Sequence, residues 1–206
     1  MSKFDIDNLL NDQIDVIREI GNIGAGNATT ALSKMLNCKV DMLVPKVKLL
    51  GFTEIANCLG SEEKIMASVY VNIRGDINGG IMFLQDTSSA NNIIRRILGQ
   101  EVKNGFDYTD IQRSALKEIG NIISASYLDS LSKMTGLKIR TSVPALSVDM
   151  IGAMLSVPAI EFGKVSDNIV LIESKFTNEL EVDGYFVLFP EVESFEKILG
   201  ALGVGL

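Results

Sequence analysis

Histidine is absent from this chain of 206 residues, and its absence excludes several classes of active site at once. There can be no catalytic triad built on an imidazole, no histidine-ligated metal centre and no histidine general base. Cysteine is scarce as well. The two cysteines, Cys38 and Cys58, follow no signal peptide, which predicts free thiols in a reducing cytoplasm; a disulfide between them is the less favoured alternative.

Excess positive charge and long apolar segments are also missing. The formal net charge is -7 and the isoelectric point is about 4.7, so no basic stripe can neutralise nucleic-acid phosphates or an anionic membrane. The most apolar stretch, residues 143–160, has one charge, Asp149. It is interrupted by prolines and is shorter than the roughly 20 residues of a membrane span. We therefore expect no nucleic-acid partner, no membrane partner and a cytoplasmic location.

Nucleotide-binding glycine motifs are not present either. Gly21, Gly24 and Gly26 are close in sequence, but they form neither a GxGxxG turn nor a Walker A loop. They also fall inside a predicted helix and not after a strand, so nucleotide binding is disfavoured.

What the chain does contain is an internal repeat. The hexapeptide at 18–23, Arg-Glu-Ile-Gly-Asn-Ile, returns at 117–122 as Lys-Glu-Ile-Gly-Asn-Ile, and each copy has a proline 23 positions after its asparagine. An identity of this kind, in register with a distant proline, indicates a duplication. We predict one domain spanning residues 1–206 with two repeats, about 8–99 and 108–206, joined by a polar linker.

The repeated polar residues lie on one side of a predicted helix. At 100° per residue, Asp15, Glu19 and Asn22 fall within about a 60° arc and face outward, away from Ile17 and Ile20. A single Glu-x-x-Asn is usually ordinary solvated surface. Its recurrence at the outward positions favours function, because a purely structural duplication would keep the isoleucines and lose the polar residues. The second copy presents Ser114, Glu118 and Asn121.

A glycine in the middle of each motif helix costs about 1 kcal/mol relative to alanine. The presence of glycine at positions 21 and 120 therefore needs an explanation other than helix stability. One interpretation is that each glycine lets the backbone of a partner approach the exposed motif. The other is close packing of the helix against a sheet.

The pattern of Asp or Ser, three residues, Glu, two residues, Asn, twenty-two residues and Pro resembles the signature of the CheC/CheX/FliY family of chemotaxis phosphatases. Two intact sites and this length are most similar to the CheC-like members. CheX-like members are shorter with one site, and FliY-like members carry an added flagellar-switch domain. The residues that match are Asp15, Glu19, Asn22 and Pro45 in the first copy and Ser114, Glu118, Asn121 and Pro144 in the second.

Hydrophobic periodicity predicts an α+β protein. Helices are expected near 8–36, 87–98, 110–135 and 191–202, and strands near 40–50, 65–74, 80–86, 139–144, 168–176 and 182–189. Thr109 and Gln112 form a predicted capping box at the start of the second long helix. The resemblance implies a pseudo-two-fold arrangement in which both halves share a mainly antiparallel sheet, with the two motif helices side by side on one face.

The chemistry available to Glu and Asn is limited but specific. An amide is no base near neutral pH, yet its oxygen can accept from a water while its N–H donates to a phosphoryl oxygen. This suits phosphoryl hydrolysis, which depends on positioning and charge neutralisation. The resemblance implies that the substrate is the phosphoaspartate of phosphorylated CheY, whose own pocket holds Mg²⁺ and a conserved lysine. No cofactor or metal of this chain is expected.

The resemblance also implies roles for the matched residues. Glu19 and Glu118 are expected to pair with the regulator's lysine, while Asn22 and Asn121 orient the attacking water. The remaining positions are supporting ones: Asp15 and Ser114 tune the docking surface, and Pro45 and Pro144 set a turn or strand start.

Asp149 has two interpretations that the sequence leaves open. Its carboxylate interacts favourably with the dipole at a helix N-terminus, or it belongs to a partner surface on an exposed, Met-rich apolar helix formed by residues 146–155. In CheC-like proteins a short helix after the second motif proline docks onto the receptor deamidase CheD, which implies CheD as a second partner. Two rival functions also stay open: a non-catalytic regulatory protein that binds CheD or CheY, and a FliY-like component of the flagellar switch.

Overall fold

The structure, a computed structural model, describes residues 11–42, 46–102, 105–162, 168–177 and 182–204. Pro45 lies outside the described residues. The elements, in chain order, are α1 (Asn11–Leu36), β1 (Asp41–Met42), β2 (Lys46–Gly51), α2 (Phe52–Leu59), β3 (Ile65–Gly75), β4 (Gly79–Asp86), α3 (Thr87–Leu98), α4 (Asp110–Thr135), β5 (Ile139–Thr141), β6 (Ala145–Met150), α5 (Ile151–Phe162), β7 (Asn168–Thr177), β8 (Val182–Pro190) and α6 (Val192–Ala201).

The elements occur twice in the same order. Helices α1 and α4 are both 26 residues long and begin and end 99 positions apart, and β2 and β6 keep the same offset. The offset grows to 103 at the start of β3 and β7, because α5 is longer than α2. The limits predicted for the two repeats, and their assignment to one domain, stay predictions.

One antiparallel sheet contains strands from both halves. Its order is β1-β7-β8-β4-β3-β5, with β2 also paired to β7 and β6 also paired to β3. The central strands β4 and β8 are related by the repeat, and Phe83 lies opposite Phe186 across them. At each edge, the outer strands of one half pair with an inner strand of the other half. The sheet predicted to be shared by both halves is therefore confirmed, and its order shows that the halves exchange edge strands.

Two apolar layers cover the two faces of the sheet. Helices α1, α3, α4 and α6 pack on one face, where the rings of Phe83, Phe186 and Phe195 are the largest fully buried side chains. Helices α2 and α5 pack on the other face, around Met82 and Leu155. The alternation of side chains along each strand supplies both layers. The two motif-bearing helices accordingly lie on one face, which confirms the α+β, pseudo-two-fold fold.

Several local predictions are confirmed. The backbone N–H of Thr109 donates to Oε1 of Gln112 at 3.0 Å, as expected for a capping box at the start of α4. Helices α3 and α6 lie close to their predicted limits, and β4 begins at Gly79. Cys38 and Cys58 are both free. In the part of the chain that the structure describes, no helix is long and apolar enough to cross a membrane.

The interpretation of residues 146–155 as one exposed helix is wrong. This stretch forms strand β6 as far as Met150, and helix α5 begins at Ile151. Exposure alternates along β6, as in an edge strand with one covered face, whereas Ile151 and Met154 are buried in the second apolar layer. Asp149 is consequently a strand residue, two positions before the helix.

Candidate functional site

The first motif lies on the outer face of α1. Asp15 and Glu19 are exposed and Asn22 is half-buried, while Ile17 and Ile20 on the other side retain only 4% and 7% of their accessible surface. The helical period thus places the isoleucines in the core and the polar residues towards solvent, as predicted.

The second motif repeats this arrangement on α4. Ser114 and Glu118 are exposed, Asn121 is half-buried, and Ile119 is completely buried. Each asparagine thus lies at the border between the buried and the exposed side of its helix, where its amide can reach solvent.

The two sites differ in their internal contacts. On α1, Nδ2 of Asn22 donates to Oε2 of Glu19 at 3.4 Å, and Nη1 of Arg18 donates to Oδ1 of Asp15 in an ion pair. A contact of 3.4 Å is long for a hydrogen bond, so the amide is readily released to another acceptor. On α4, neither Glu118 nor Asn121 has a hydrogen-bond partner among the residues that the structure describes. Both of those side chains are free to meet a ligand.

The glycine of the second motif serves packing. A Cβ built on Gly120 would lie 2.4 Å from Cγ2 of Val69 on β3, which is closer than real Cβ atoms approach. Gly120 is buried, as is Gly21 in the first copy. The interpretation that the glycine admits the backbone of a partner is therefore wrong for Gly120, and close packing against the sheet is correct.

Contacts between α1 and α4 hold the two motif helices together. A Cβ on Gly24 would lie 2.8 Å from Cδ1 of Tyr127, so the ring of Tyr127 packs directly on the backbone of α1. Three residues later, Nδ2 of Asn27 donates to Oγ of Ser130 at 2.9 Å. These contacts pack the two motif helices directly against each other.

Two exposed isoleucines near the motifs were missed by sequence reasoning. Ile111, in the first turn of α4, is 56% exposed, and Ile23, beside Asn22, is 38% exposed. Ile111 lies seven residues before Glu118 and hence on the same face of the helix. An apolar residue at an outward position of the same helical stripe was the signal that could have found it.

One cleft lies away from both motifs. A cavity of about 270 Å³ lies on the α5 side of the sheet, and none of the motif residues lines it. Asp149 is one of the residues that line it, and its Oδ1 accepts a hydrogen bond from the backbone N–H of Met150 at 2.8 Å. The other residues that line it include Ser68, Tyr70, Ser147, Met154 and Val157.

The proline and metal predictions have different outcomes. Pro144 directly precedes β6, at a strand start. Pro45 cannot be compared, because it lies outside the described residues. Within the described ranges, no three Asp, Glu or Cys side chains are grouped so that they could hold a metal ion. The expectation that this chain needs no cofactor of its own stays a prediction.

Comparisons with known proteins agree with this geometry. A sequence model of the CheC-like family matches residues 13–49 and 111–148, which contain the two motifs. The CheY-P phosphatase CheC of Bacillus subtilis (strain 168) is 35% identical over 203 residues, covering 95% of this chain and 96% of that protein.

Solved structures show the same fold. Thermotoga maritima FliY superimposes with a TM-score of 0.74 at 23% identity, covering 95% of this chain and 98% of that one. A chain in the CheX-CheY-BeF3-Mg complex from Borrelia burgdorferi gives a TM-score of 0.56 at 19% identity, covering 86% of this chain and 99% of that one. With two complete motifs and a relative that matches along nearly its whole length, the chain belongs to the CheC-like family.

Proposed function

We propose that this protein is a phosphatase that hydrolyses the phosphoaspartate of a CheY-type response regulator and so terminates a chemotaxis signal. The observation that carries the proposal is the pair of exposed Glu-x-x-Asn faces, Glu19 with Asn22 and Glu118 with Asn121, held at the same place on two equivalent helices. The 35% identical relative in Bacillus subtilis is a CheY-P phosphatase, which supports the same activity here.

The asparagines orient the attacking water. Each amide oxygen accepts a hydrogen bond from the water, and each amide N–H donates to a phosphoryl oxygen. The water oxygen forms a bond to phosphorus as the bond between phosphorus and the aspartate oxygen breaks, which releases inorganic phosphate and restores the carboxylate. Positioning of this kind is the main contribution that a protein makes to phosphoryl transfer.

The glutamates set the docking register. Glu19 and Glu118 lie one helical turn before the asparagines and are exposed, so each can pair with the lysine that the family resemblance places in the regulator's pocket. A charge pair at the rim of the contact orients the two proteins more than it adds affinity. We assign charge neutralisation at the phosphoryl group to the Mg²⁺ of the regulator, so the catalytic site is completed by its substrate.

We also propose a second partner, the deamidase CheD, on the α5 side of the sheet. Val157 of α5 is 57% exposed and Met150, just before the helix, is 45% exposed. Asp149 adds one carboxylate beside this apolar surface. The proposal rests on the family resemblance, and it assigns CheD to the face opposite the two motifs.

The rival functions lack a comparable observation. A non-catalytic binding protein does not require an amide beside the carboxylate at both sites. For a flagellar-switch role, the described residues show no additional surface that would support it. A non-catalytic binding protein predicts stoichiometric binding of the receiver without turnover.

Turnover decides between catalysis and binding. A receiver domain of CheY type is phosphorylated on its aspartate and mixed with this protein, which is present at a hundredth of the receiver's concentration. The loss of acid-labile phosphate from the receiver is followed with time. We expect many phosphates to be released per molecule of protein. Release that stops at one or two equivalents, or that does not exceed the spontaneous rate, would identify a binding protein.

A further inference from the structure

The two motif faces are equivalent in backbone position but differ in chemistry one turn before the motif. The offset of 99 residues aligns Asp12 with Ile111, and Asp15 with Ser114. All four side chains are exposed, and Ile111 retains 56% of its accessible surface. A carboxylate on α1 is therefore replaced by an apolar side chain at the same position on α4.

Ile111 belongs to the face that carries the second motif. It lies three residues before Ser114 and seven before Glu118, so all three side chains point within about 60° of one another around the helix. The isoleucine that follows the asparagine, Ile23 or Ile122, is present in both copies and cannot distinguish them. Ile111 is thus an apolar group added to one site alone.

The α4 face also carries less negative charge than the α1 face. Residues 11–22 hold three carboxylates and one guanidinium, a formal charge of -2, whereas residues 110–121 hold two carboxylates and two cations, a formal charge of zero. On α1 the cation, Arg18, is neutralised by Asp15. On α4 the equivalent Lys117 has no ion-pair partner in the described part of the chain. The α1 face is acidic and the α4 face is neutral and partly apolar.

We infer that the two sites dock the same phosphorylated receiver by different forces, and that Ile111 is a specificity-determining residue of the α4 site. The inference rests on the proposed phosphatase function. Docking at the α1 site depends on attraction between the acidic face of Asp12, Asp15 and Glu19 and the lysine that the family resemblance places in the receiver's pocket. Docking at the α4 site depends on burial of the Ile111 side chain against apolar surface of the receiver beside that pocket.

The two forces respond oppositely to salt. Exposed charge pairs are screened over a Debye length that falls from about 14 Å at 50 mM salt to about 4 Å at 0.5 M. Burial of apolar surface is not screened, and many salts strengthen it. One chain therefore holds a site that is strongest at low ionic strength and a site that keeps its affinity as the ionic strength rises.

Single-site variants separate the two. In Asn121→Ala only the α1 site should hydrolyse the receiver, and in Asn22→Ala only the α4 site should do so. For each variant, kcat and KM for the phosphorylated receiver are measured between 50 mM and 0.5 M NaCl. Because two net charges distinguish the faces, we expect KM of the α1 site to rise about tenfold and KM of the α4 site to change less than about twofold. Equal salt dependences would overturn the inference.

Substitution of Ile111 tests its role directly. In the Asn22→Ala background, Ile111→Ser should raise KM about fivefold with little change in kcat, because it removes most of the apolar contact. Ile111→Asp should in addition make KM depend on salt, as at the α1 site. Ile160→Ser is the matched control, since Ile160 is 74% exposed on α5, on the other face of the sheet. The control should leave KM unchanged, and an equal effect of both serine variants would contradict a docking role.

A binding measurement keeps this inference separate from the proposed function. The receiver with beryllofluoride in place of the phosphoryl group is titrated at the same salt concentrations with Glu19→Lys, which opposes docking at the α1 site, and with Glu118→Lys, which opposes docking at the α4 site. Thermal unfolding confirms that every variant is folded. Hydrolysis with equal salt dependences leaves the phosphatase function intact and removes the inference. Different salt dependences of binding without any hydrolysis by the unmodified protein retain the inference and remove the phosphatase function.

Discussion

Gly120 of helix α4 lies directly over Val69 of strand β3, so close that a Cβ on the glycine would be 2.4 Å from Cγ2 of the valine. The helix is thereby held against the sheet at the residue next to Asn121. With residue 120 facing the sheet, the helical geometry turns Asn121 to the border of the exposed face and Glu118 to solvent. The glycine within the motif thus positions the site through its contact with the sheet.

Gly120→Ala should lower the free energy of unfolding by about 1–3 kcal/mol, because the added methyl group forces α4 and β3 apart. Gly26→Ala is the matched control. A Cβ on Gly26 meets nothing within 4 Å, so this variant should gain about 0.5–1 kcal/mol from its higher helix propensity. Urea denaturation measures both. Stabilisation by both substitutions would show that α4 does not depend on its close approach to Val69.

Asn22→Ala and Asn121→Ala should each lower phosphatase activity, and the double variant should lose about 100-fold or more, as expected when a preorganised group of the transition state is removed. Both asparagines are on the surface side of their helices, so the free energy of unfolding should change by less than about 0.5 kcal/mol. Steady-state hydrolysis and a thermal melt of each variant give the two quantities. Unchanged activity in the double variant would contradict the water-positioning role.

Glu19→Gln and Glu118→Gln should each raise KM, and Glu19→Gln should also reduce the dependence of KM on salt, because it removes one charge from the acidic docking surface of α1. The turnover number should fall less than it does for the asparagine variants. A pH-rate profile provides the check. Should the glutamine variants bind normally but lose the basic limb of that profile, the glutamates act as general bases and not in docking.

Asp149→Lys should weaken the complex with CheD while it leaves hydrolysis of the phosphorylated receiver within about twofold of the original rate, because the sheet separates Asp149 from both motif faces. Titration calorimetry with CheD measures the first quantity. Unaltered affinity would remove Asp149 from the proposed surface. A lower melting temperature with normal binding would instead point to its contact with the N–H of Met150.

Stability at high pH should depend on Tyr108. Burial raises the pKa of this phenol to about 12, and its hydroxyl donates to Oδ1 of Asn91 at 2.9 Å. In the unfolded chain the pKa is near 10, so between about pH 10 and pH 12 the unfolded state loses the proton first. The stabilising contribution is complete below pH 10 and is lost as the pH rises towards 12.

Tyr108→Phe should therefore be less stable than the original protein at neutral pH by about 1 kcal/mol, because the hydrogen bond to Asn91 is lost. It should also show a shallower decline above pH 10. Unfolding free energies measured at several pH values compare the two proteins, and parallel curves would exclude Tyr108 as the cause of the decline.

Local patterns in the sequence were sufficient for helices α1, α3, α4 and α6 and for the exposure of the motif residues, whereas helix α2 was not predicted. The repeat at 18–23 and 117–122, the outward arc of Asp15, Glu19 and Asn22, and the capping box at Thr109 all depend on residues within a few turns of one another. A helical period of 3.6 residues decides which side chains share a face, whatever the rest of the chain does. For this reason the predicted limits of the long helices and the exposure of the motif residues agree with the structure.

Only the tertiary structure decided how the two halves combine. Strand β2 pairs with β7 and β6 pairs with β3, across more than 70 residues of sequence in each case. The alternation of apolar and polar residues along a strand does not determine which other strand it pairs with. The role of Gly120 was ambiguous for the same reason, because Val69 lies 51 positions away.

The stretch 146–155 shows where local patterns fail. Its apolar composition fits a buried strand and a covered helix equally well, and pairing of β6 with β3 makes its first half a strand. Composition and period are properties of the chain itself and survive any packing. The choice of strand partners and the burial of a particular glycine are properties of two distant segments together, and they exist only once the sheet has formed.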